Sequence, residues 1–128
     1  MHVDPEAERW DREYPKFPGV TTCVALLSSP KVHGTWVDII CQELTRHADE
    51  CADELLGAFG AAADARVRAI LMGILCEAKL SKAQPVFIEN LKSDDELLRH
   101  WAEQGLRDLN TKESRTALWN AGIDPHKS

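Results

Sequence analysis

The sequence predicts an all-α protein, built as a short α-solenoid of about three helix pairs with a capping helix at the C-terminal end. Three observations lead to this prediction. Apolar residues recur at the spacing of one helix face, one apolar frame returns at a constant interval along the chain, and no segment shows the strict alternation expected of a strand.

The repeat is visible in three segments that share one apolar frame. The equivalent positions are Trp36, Ile40 and Leu44 in the first segment, Val67, Leu71 and Leu75 in the second, and Leu98, Ala102 and Leu106 in the third. The interval from Trp36 to Val67 thus equals the interval from Val67 to Leu98. A second series, formed by Val24, Leu55 and Val86, returns at the same interval and precedes the first series by a constant offset. Each unit is therefore predicted to contain two helices.

Helix starts are indicated by capping residues. Asp64 is the predicted N-cap of the second helix in the middle unit, and Thr111 is that of the last helix. Ser93 and Glu96 have the spacing of a capping box, in which the serine accepts from the amide of the glutamate and the glutamate side chain reaches back. Pro85 suits the first turn of a helix, where its missing N–H is not needed.

Helix ends are indicated by glycine. Gly60 and Gly122 suit the left-handed conformation that follows many helices, and Ile123 can then fold back on the final turn. Trp10 and Trp119 are expected to pack over the two ends of the array. The predicted helices cover residues 22–29, 35–47, 50–59, 65–79, 85–92, 94–109 and 112–121.

The interval divides the chain into one repeat domain and two flanking segments. The repeat domain covers residues 21–122, with an N-terminal extension at 1–20 that packs on the first unit and a C-terminal tail at 123–128. Within the extension, Asp4 followed by Pro5 can start a short helix, and the aromatic and proline residues after it indicate an extended segment.

Composition and charge narrow the range of partners. Apolar residues make up 44% of the 128-residue chain and charged residues 28%, which is enough to bury one core. The net charge of −6 repels phosphate backbones, so nucleic acid is not an expected partner, whereas a basic protein would be attracted.

No secretory or membrane segment is predicted. The N-terminus lacks the basic and apolar stretches of a signal sequence. The longest apolar run, Ala69 to Cys76, is too short to span a bilayer. We therefore expect a cytoplasmic protein that does not bind membranes.

The candidate chemical groups indicate neither a cofactor nor catalysis. Cys41, His47 and Cys51 are the best candidates for zinc, but their spacing matches no finger and a helix break is expected between the last two, so no metal is predicted. No catalytic triad or glycine-rich phosphate loop is recognisable, and most carboxylates fall in first turns of helices, where the helix dipole explains them. The chain is therefore predicted not to be an enzyme.

Two segments carry a resemblance to a known family. Residues 64–68 and 94–99 place an arginine four residues after an aspartate, and apolar residues follow at helical spacing. They resemble the second helix of HEAT repeats, and the short interval is most similar to the compact HEAT-like repeats of phycobilisome lyases. The resemblance implies that Arg68 and Arg99 form a structural ladder between loops.

In HEAT-like arrays the second helices line a concave face, so the resemblance implies that a partner binds there. On a helical wheel, the face of the middle second helix opposite the core is apolar, whereas equivalent positions in the flanking helices are polar. An apolar centre with a polar rim is typical of a protein interface, and Met72 is its expected anchor. The predicted contact residues are Asp38, Cys41, Gln42, Thr45, Met72, Cys76, His100, Glu103, Gln104 and Arg107. Alternatively, residues 1–20 fold over this face and bury it.

The predicted function is therefore that of a non-catalytic protein-binding module, with a bacterial toxin-immunity protein as one concrete candidate. The family resemblance alone suggests a second candidate, a lyase-like or chaperone-like protein that handles a tetrapyrrole. A DNA-binding HEAT-like protein is a third candidate, and the net charge of −6 argues against it.

Overall fold

The computed structural model describes residues 4–126, which form eight α-helices, one short 3-10 helix and no strand. The α-helices are α1 (Pro5–Glu13), α2 (Val20–Leu27), α3 (Thr35–Arg46), α4 (Ala52–Ala61), α5 (Ala65–Glu77), α6 (Gln84–Asn90), α7 (Glu96–Leu109) and α8 (Lys112–Asn120). The 3-10 helix, Ser81–Ala83, leads directly into α6. The all-α prediction is confirmed, and the predicted bounds of α2 to α8 lie within two residues of the observed ones. Within this part of the chain, no helix has the length and apolar character needed to cross a membrane.

Two predicted caps are present as hydrogen bonds. The carboxylate of Asp64 accepts from the amide of Val67 at 3.0 Å, and this bond fixes the start of α5. Thr111 Oγ1 accepts from the amide of Ser114 at 2.9 Å, while Ser114 Oγ accepts from the amide of Thr111 at 2.8 Å. Each bond satisfies a backbone donor that the helix itself leaves without a partner, so the predicted starts of α5 and α8 are confirmed.

The predicted capping box at Ser93 and Glu96 is wrong, because Asp95 caps α7 instead. The carboxylate of Asp95 accepts from the amides of Leu97 at 2.9 Å and Leu98 at 3.3 Å. Ser93 Oγ accepts from the amide of Asp95 at 3.1 Å, so the serine supports the turn before the helix. A carboxylate satisfies two first-turn donors and also interacts favourably with the helix dipole, which explains why the helix begins after it.

The two predicted glycine stops differ in outcome. Gly122 follows α8 with a φ of 80°, and the amide of Ile123 donates to the carbonyl of Leu118 at 2.9 Å, which is the fold-back expected there. Gly60 lies inside α4, so the predicted stop at this residue is wrong. The alanine that follows it has a high helix propensity and continues the helix for one more residue, until Ala62 adopts an extended conformation.

The tryptophans at the two ends have opposite environments. Trp10 is buried, and its ring lies edge-on to that of Trp36 with 5.2 Å between the centroids. Trp119 is 72% exposed, so the expectation that it packs over the C-terminal end is wrong. The preceding residue, Leu118, is the one that enters the core, and successive helical side chains differ by about 100° in direction.

The odd-numbered helices pack against one another in succession. α3 contacts α1 and α5, and α5 contacts α7, while α2 contacts α4 and α6 contacts α8. The N-terminal extension is held on α3 by two hydrogen bonds, from Thr35 Oγ1 to Asp4 Oδ2 at 2.7 Å and from Trp36 Nε1 to the carbonyl of Glu6 at 3.0 Å. α5 therefore lies between α3 and α7, and it also contacts α4.

Two arginines connect a helix to the backbone that precedes it. Arg68 Nη1 donates to the carbonyls of Phe59 and Ala62, both at 3.2 Å. Arg99 Nη1 donates to the carbonyl of Ser93 at 2.7 Å. The guanidinium groups of both arginines thus hydrogen bond to these carbonyls, so the two side chains stabilise the connections that lead into α5 and α7.

Two helical glycines should respond in opposite ways to alanine. A Cβ on Gly105 would lie 2.6 Å from a ring carbon of the fully buried Phe87. Gly105→Ala should therefore destabilise the protein by about 1–3 kcal/mol, because overpacking outweighs the better helix propensity of alanine. Gly73→Ala is the matched control, since its Cβ would lie 3.4 Å from the Trp101 ring, an ordinary contact. It should leave the stability unchanged or raise it by up to about 1 kcal/mol. Urea unfolding measures both, and an undiminished stability of Gly105→Ala would contradict the close approach of α6 and α7.

Candidate partner-binding groove

One narrow strip of α5 remains open to solvent. Because α5 packs against α3, α4 and α7, most of its side chains are buried, namely Val67, Ala69, Leu71, Met72, Ile74, Leu75 and Cys76. A set spaced four, three and four residues apart stays at least partly exposed on one side of the helix: Arg66, Ile70, Gly73 and Glu77.

This strip forms the floor of a groove of about 1060 Å³. The lining residues are Cys41, Gln42, Thr45 and Arg46 from α3, Ala65, Arg66, Ala69, Ile70, Gly73, Ile74 and Glu77 from α5, and Asp95, Leu97 and Trp101 on the α7 side. The groove thus brings three successive odd-numbered helices to one surface.

The α7 wall of the groove is apolar. Leu97 is 50% exposed, and Trp101, one helical turn later, is half-buried. The indole of Trp101 lies 3.4 Å from the position that a Cβ on Gly73 would occupy. The ring therefore lies against α5 beside Gly73 and joins the wall to the floor. The pair offers a large apolar surface of the kind that anchors protein partners.

The α3 wall of the groove is more polar. Cys41 and Thr45 are half-buried, and Gln42 between them is exposed. Thr45 Oγ1 donates to the carbonyl of Cys41 at 2.7 Å, so this hydroxyl is already satisfied within α3. The exposed amide of Gln42 and the exposed guanidinium of Arg46 therefore remain accessible to hydrogen bond with a partner.

The charged residues that line the groove balance one another. Arg46 and Arg66 are positive, whereas Glu77 and Asp95 are negative. Arg66 Nη1 donates to the carbonyl of Leu27 at 3.1 Å, which leaves its other donors unused by that bond. Asp95 already caps α7. The groove thus has an apolar interior and a rim of both signs.

The negative net charge of the chain arises partly outside the groove. Four exposed carboxylates lie in and just after the turn between α3 and α4: Asp49, Glu50, Asp53 and Glu54. Lys82 Nζ lies 3.4 Å from the Asp53 carboxylate, and both side chains are exposed, so this ion pair contributes little to stability. The sequence predicts a long-range attraction between this chain and a basic molecule. The exposed carboxylates would make that attraction strong at the turn between α3 and α4.

Two predicted contact residues lie inside the protein. Met72 has no exposed surface and Cys76 is 3% exposed, so the expectation that Met72 anchors a partner at the surface is corrected. The positions of α3 and α7 on either side of α5 account for this burial. The N-terminal extension packs on α3, so it is not needed to explain why the middle helix is covered.

The predicted residues divide between the groove and the neighbouring surface. Cys41, Gln42 and Thr45 line the groove, and their contact with a partner stays a prediction. The others are exposed or half-buried but do not line it: Asp38, His100, Glu103, Gln104 and Arg107. Several of them bond within α7 instead, since Arg107 Nη2 lies 3.5 Å from Glu103 Oε1 and Gln104 Nε2 donates to Asp108 at 2.9 Å.

The sequence interpretation missed Ile70, Leu97 and Trp101. The repeat interval contains a signal that finds them, because Ile70 is equivalent to Ile39 and Trp101, and Leu97 is equivalent to Arg66. This apolar series lies one residue away from the positions that the wheel selected. A charged residue at each end of the α5 strip is the second signal, since charges mark the side of a helix that stays in water.

The zinc candidates occupy different environments. The ring of His47 stacks on Phe17 with 4.1 Å between centroids, and its nitrogens lie 3.6 Å from Glu43 and 3.4 Å from Glu50. Cys41 faces the groove, whereas Cys51 immediately precedes α4. Within residues 4–126 no group of three or more histidine, cysteine or acidic side chains is arranged to hold a metal ion.

The buried thiols hold their protons at neutral pH. Burial raises the pKa of Cys23 from its ordinary value of 9.0 to about 11. Burial, together with the nearby Asp108, raises the pKa of Cys76 to about 12. Burial also raises the pKa of Cys41 in the groove. Because the thiolate is the nucleophile, these cysteines are poorly reactive near pH 7.

The thiols of Cys23 and Cys76 should lower the free energy of unfolding in the alkaline range. Above pH 9.0 the unfolded chain loses the protons of Cys23 and Cys76, whereas the folded chain keeps them to about 11 and 12. Above pH 9.0 the unfolded state thus binds fewer protons than the folded state, so the free energy of unfolding decreases as the pH rises from 9.0 to about 11 and 12. Below pH 9.0 both states keep these protons, and the two thiols do not change the free energy of unfolding. Urea unfolding at pH 8 and at pH 10.5 measures the loss. The Cys23→Ala and Cys76→Ala variants should show a smaller loss than the wild type, and an equal loss would exclude the thiols as its source.

Comparison with known proteins provides no match. No family model, no curated protein and no solved structure matches the chain. The function is therefore inferred from the groove and from the sequence resemblance.

Proposed function

We propose that the chain is a HEAT-like repeat protein that binds another protein through the groove formed by α3, α5 and α7, and that it is not an enzyme. The single observation that carries the proposal is the composition of this groove. Its interior combines Ile70, Leu97 and Trp101, and its edges carry balanced charges and the exposed amide of Gln42. An apolar centre surrounded by polar groups is the usual arrangement at protein interfaces.

The packing of the helices supports the repeat interpretation. Three helices with the same apolar frame, α3, α5 and α7, contact one another in chain order, and their core positions recur at one constant interval. A single helix pair cannot bury its own apolar stripe, so stacking of equivalent helices is what such a sequence requires. A concave surface made by these helices is where a repeat protein of this kind would bind its partner.

A toxin-immunity protein remains our concrete candidate within this class. Such a protein has to hold one partner tightly and needs no chemistry of its own. The net charge of −6 would attract a basic protein, and the exposed carboxylates at the α3–α4 turn would contribute to its association rate. The expectation of a basic partner stays a prediction, because the groove itself contains two charges of each sign.

The two exposed or partly exposed tryptophans provide a matched test of the groove. Trp101 lines the groove, whereas Trp119 lies on α8 and is not among its lining residues. Trp101→Ala should weaken binding of the natural partner by at least ~2 kcal/mol, because large aromatic anchors dominate interface energies. Trp119→Ala should leave binding within about 0.5 kcal/mol of the wild type.

The measurement is affinity capture from the native cell, followed by calorimetry with the protein that the wild type retains. Circular dichroism and thermal melting of both variants establish that the fold is intact. Equal binding by the wild type and a folded Trp101→Ala variant would exclude the groove as the binding site. Loss of binding in Trp119→Ala alone would place the interface on α8.

A further inference from the structure

Helix α1 contributes one buried side chain to the protein. Seven of its nine residues are exposed, Ala7 is half-buried and Trp10 is buried. By comparison, α5 buries seven of its thirteen residues. A helix as short as α1 has little stability of its own in water, because the cost of its first turn is offset only over a longer run. α1 therefore stays helical through its contacts with the rest of the chain.

The contacts of α1 with the rest of the chain meet at the start of α3. The ring centroid of Trp36 lies 5.2 Å from that of Trp10 and 6.0 Å from that of Tyr14. The guanidinium of Arg9 lies 4.4 Å from the same ring. The two hydrogen bonds from the first two residues of α3 to the N-terminal extension also lie here. Because most of these contacts involve Trp36, they can break together in one step.

The chain has a second attachment beyond α1, at the opposite end of α3. Phe17 stacks on His47, which directly follows α3. Pro15 and Lys16 lie between Tyr14 and Phe17, and both are exposed. Hinges consist of a few loop residues that absorb the backbone rotation, and an exposed pair can rotate without loss of core packing. α1 can therefore turn away from α3 while Phe17 and α2 stay in place.

We propose that residues 4–14, the N-terminal arm, open as one unit about Pro15 and Lys16 while α2 to α8 stay folded. Segments with few buried apolar groups and a solvent-exposed backbone open at a lower free energy than the core does. Opening uncovers the ring of Trp36, so the arm is a gate over the start of the row formed by α3, α5 and α7. No residue of the arm lines the groove, and the opening does not depend on what the groove binds.

Hydrogen exchange of the full-length wild type, followed by NMR, measures this opening. The amides of residues 8–14 bond within the arm, and the indole N–H of Trp36 donates to the carbonyl of Glu6 in the arm at 3.0 Å. These protons should share one protection factor, at least about 100-fold below that of the backbone amides of α5 and of Ile40 in α3. Low concentrations of urea should leave this protection factor nearly unchanged, because opening the arm exposes little surface.

The indole proton of Trp36 separates opening of the whole arm from fraying of its first turn. Fraying would give a gradient of protection along α1 and would leave the indole proton as protected as the amide of Ile40. Either of these results would overturn the proposal. Equal protection of the α1 and α5 amides would also overturn it, because the arm would then open only when the whole protein unfolds.

Two substitutions on α1 form a matched pair. Trp10→Ala removes the buried side chain of the arm. The arm amides and the Trp36 indole should then lose nearly all protection, while the α5 amides stay protected by at least about 100-fold. Arg12→Ala is the control, because Arg12 is exposed and makes none of the contacts with α3 named above. It should change the exchange rates of the arm by less than about threefold. A Trp10→Ala protein that is unfolded throughout would contradict the proposal, which requires α2 to α8 to stay folded without the arm.

Asp4→Ala tests the attachment of the arm at the surface, without removing a core side chain. The Asp4 carboxylate accepts from the amide of Glu6 at 2.9 Å and from Thr35 Oγ1 at 2.7 Å, so it both caps α1 and links it to α3. Its loss should speed exchange of the arm amides and of the Trp36 indole proton by about fivefold, the usual effect of losing a helix cap. Unchanged rates in this variant would show that these contacts do not hold the arm closed and would overturn the proposal.

Discussion

Met72→Asp should unfold the isolated protein or lower its free energy of unfolding by more than about 4 kcal/mol, since it places a carboxylate in an apolar interior. Met72 has no exposed surface, and its neighbours Leu71 and Leu75 are equally buried. The expected loss is therefore one of stability, and any loss of partner binding would follow from it.

Urea unfolding and thermal melting measure this effect, with Met72→Leu as the control. Leucine has a similar volume and no polar atom, so this variant should cost less than about 1.5 kcal/mol. A folded Met72→Asp protein with an unchanged melting temperature and lost partner binding would be the opposite result. That result would show that Met72 lies at the surface and contacts the partner, as the helical wheel predicts.

Phe87→Ala should destabilise the protein by about 3–5 kcal/mol, the usual cost of removing a fully buried phenylalanine. Phe87 has no exposed surface and its ring occupies the space beside Gly105, where α6 and α7 meet. The truncation leaves a cavity that the two helices cannot close without moving. Urea unfolding provides the measurement, and a cost below about 1 kcal/mol would mean that the α6–α7 contact is not part of the core.

The same pair gives a double-mutant cycle. Gly105→Ala is costly only because the ring of Phe87 lies 2.6 Å from the new Cβ. In the Phe87→Ala background this clash is absent, so Gly105→Ala should no longer destabilise and should recover part of the lost stability through packing and helix propensity. Additive effects of the two changes would show that the cost of Gly105→Ala does not come from the Phe87 ring.

The fold could be predicted from the sequence because its signals are local or periodic. The constant interval between Trp36, Val67 and Leu98 located the helices α3, α5 and α7, and caps such as Asp64 and Thr111 act on amides in the first turn that follows them. Where two local signals competed, the prediction was less accurate. Ser93 and Asp95 both suit a helix start, and the charged side chain that satisfies two amides determined where α7 begins.

The groove was predicted only in part, because its shape depends on packing between helices. The wheel places Met72 opposite the core stripe, which is correct for a helix with neighbours on one side only. α5 has neighbours on both flanks, so its open strip is narrow and centred near Ile70 and Gly73. Cys41 and Thr45 on α3 are among the residues that the sequence predicts, and both line the groove. This side of α3 stays open for either choice of the exposed strip on α5.

The burial of α5 on both flanks also bears on how binding would proceed. A floor that is fixed by α3, α4 and α7 is already in its binding geometry, so the chain would spend little free energy on rearrangement when a ligand arrives. Its free and bound shapes should then be nearly the same. Changes in the ligand's apolar surface would alter its residence time in the groove much more than its rate of arrival, because arrival depends mainly on diffusion and charge.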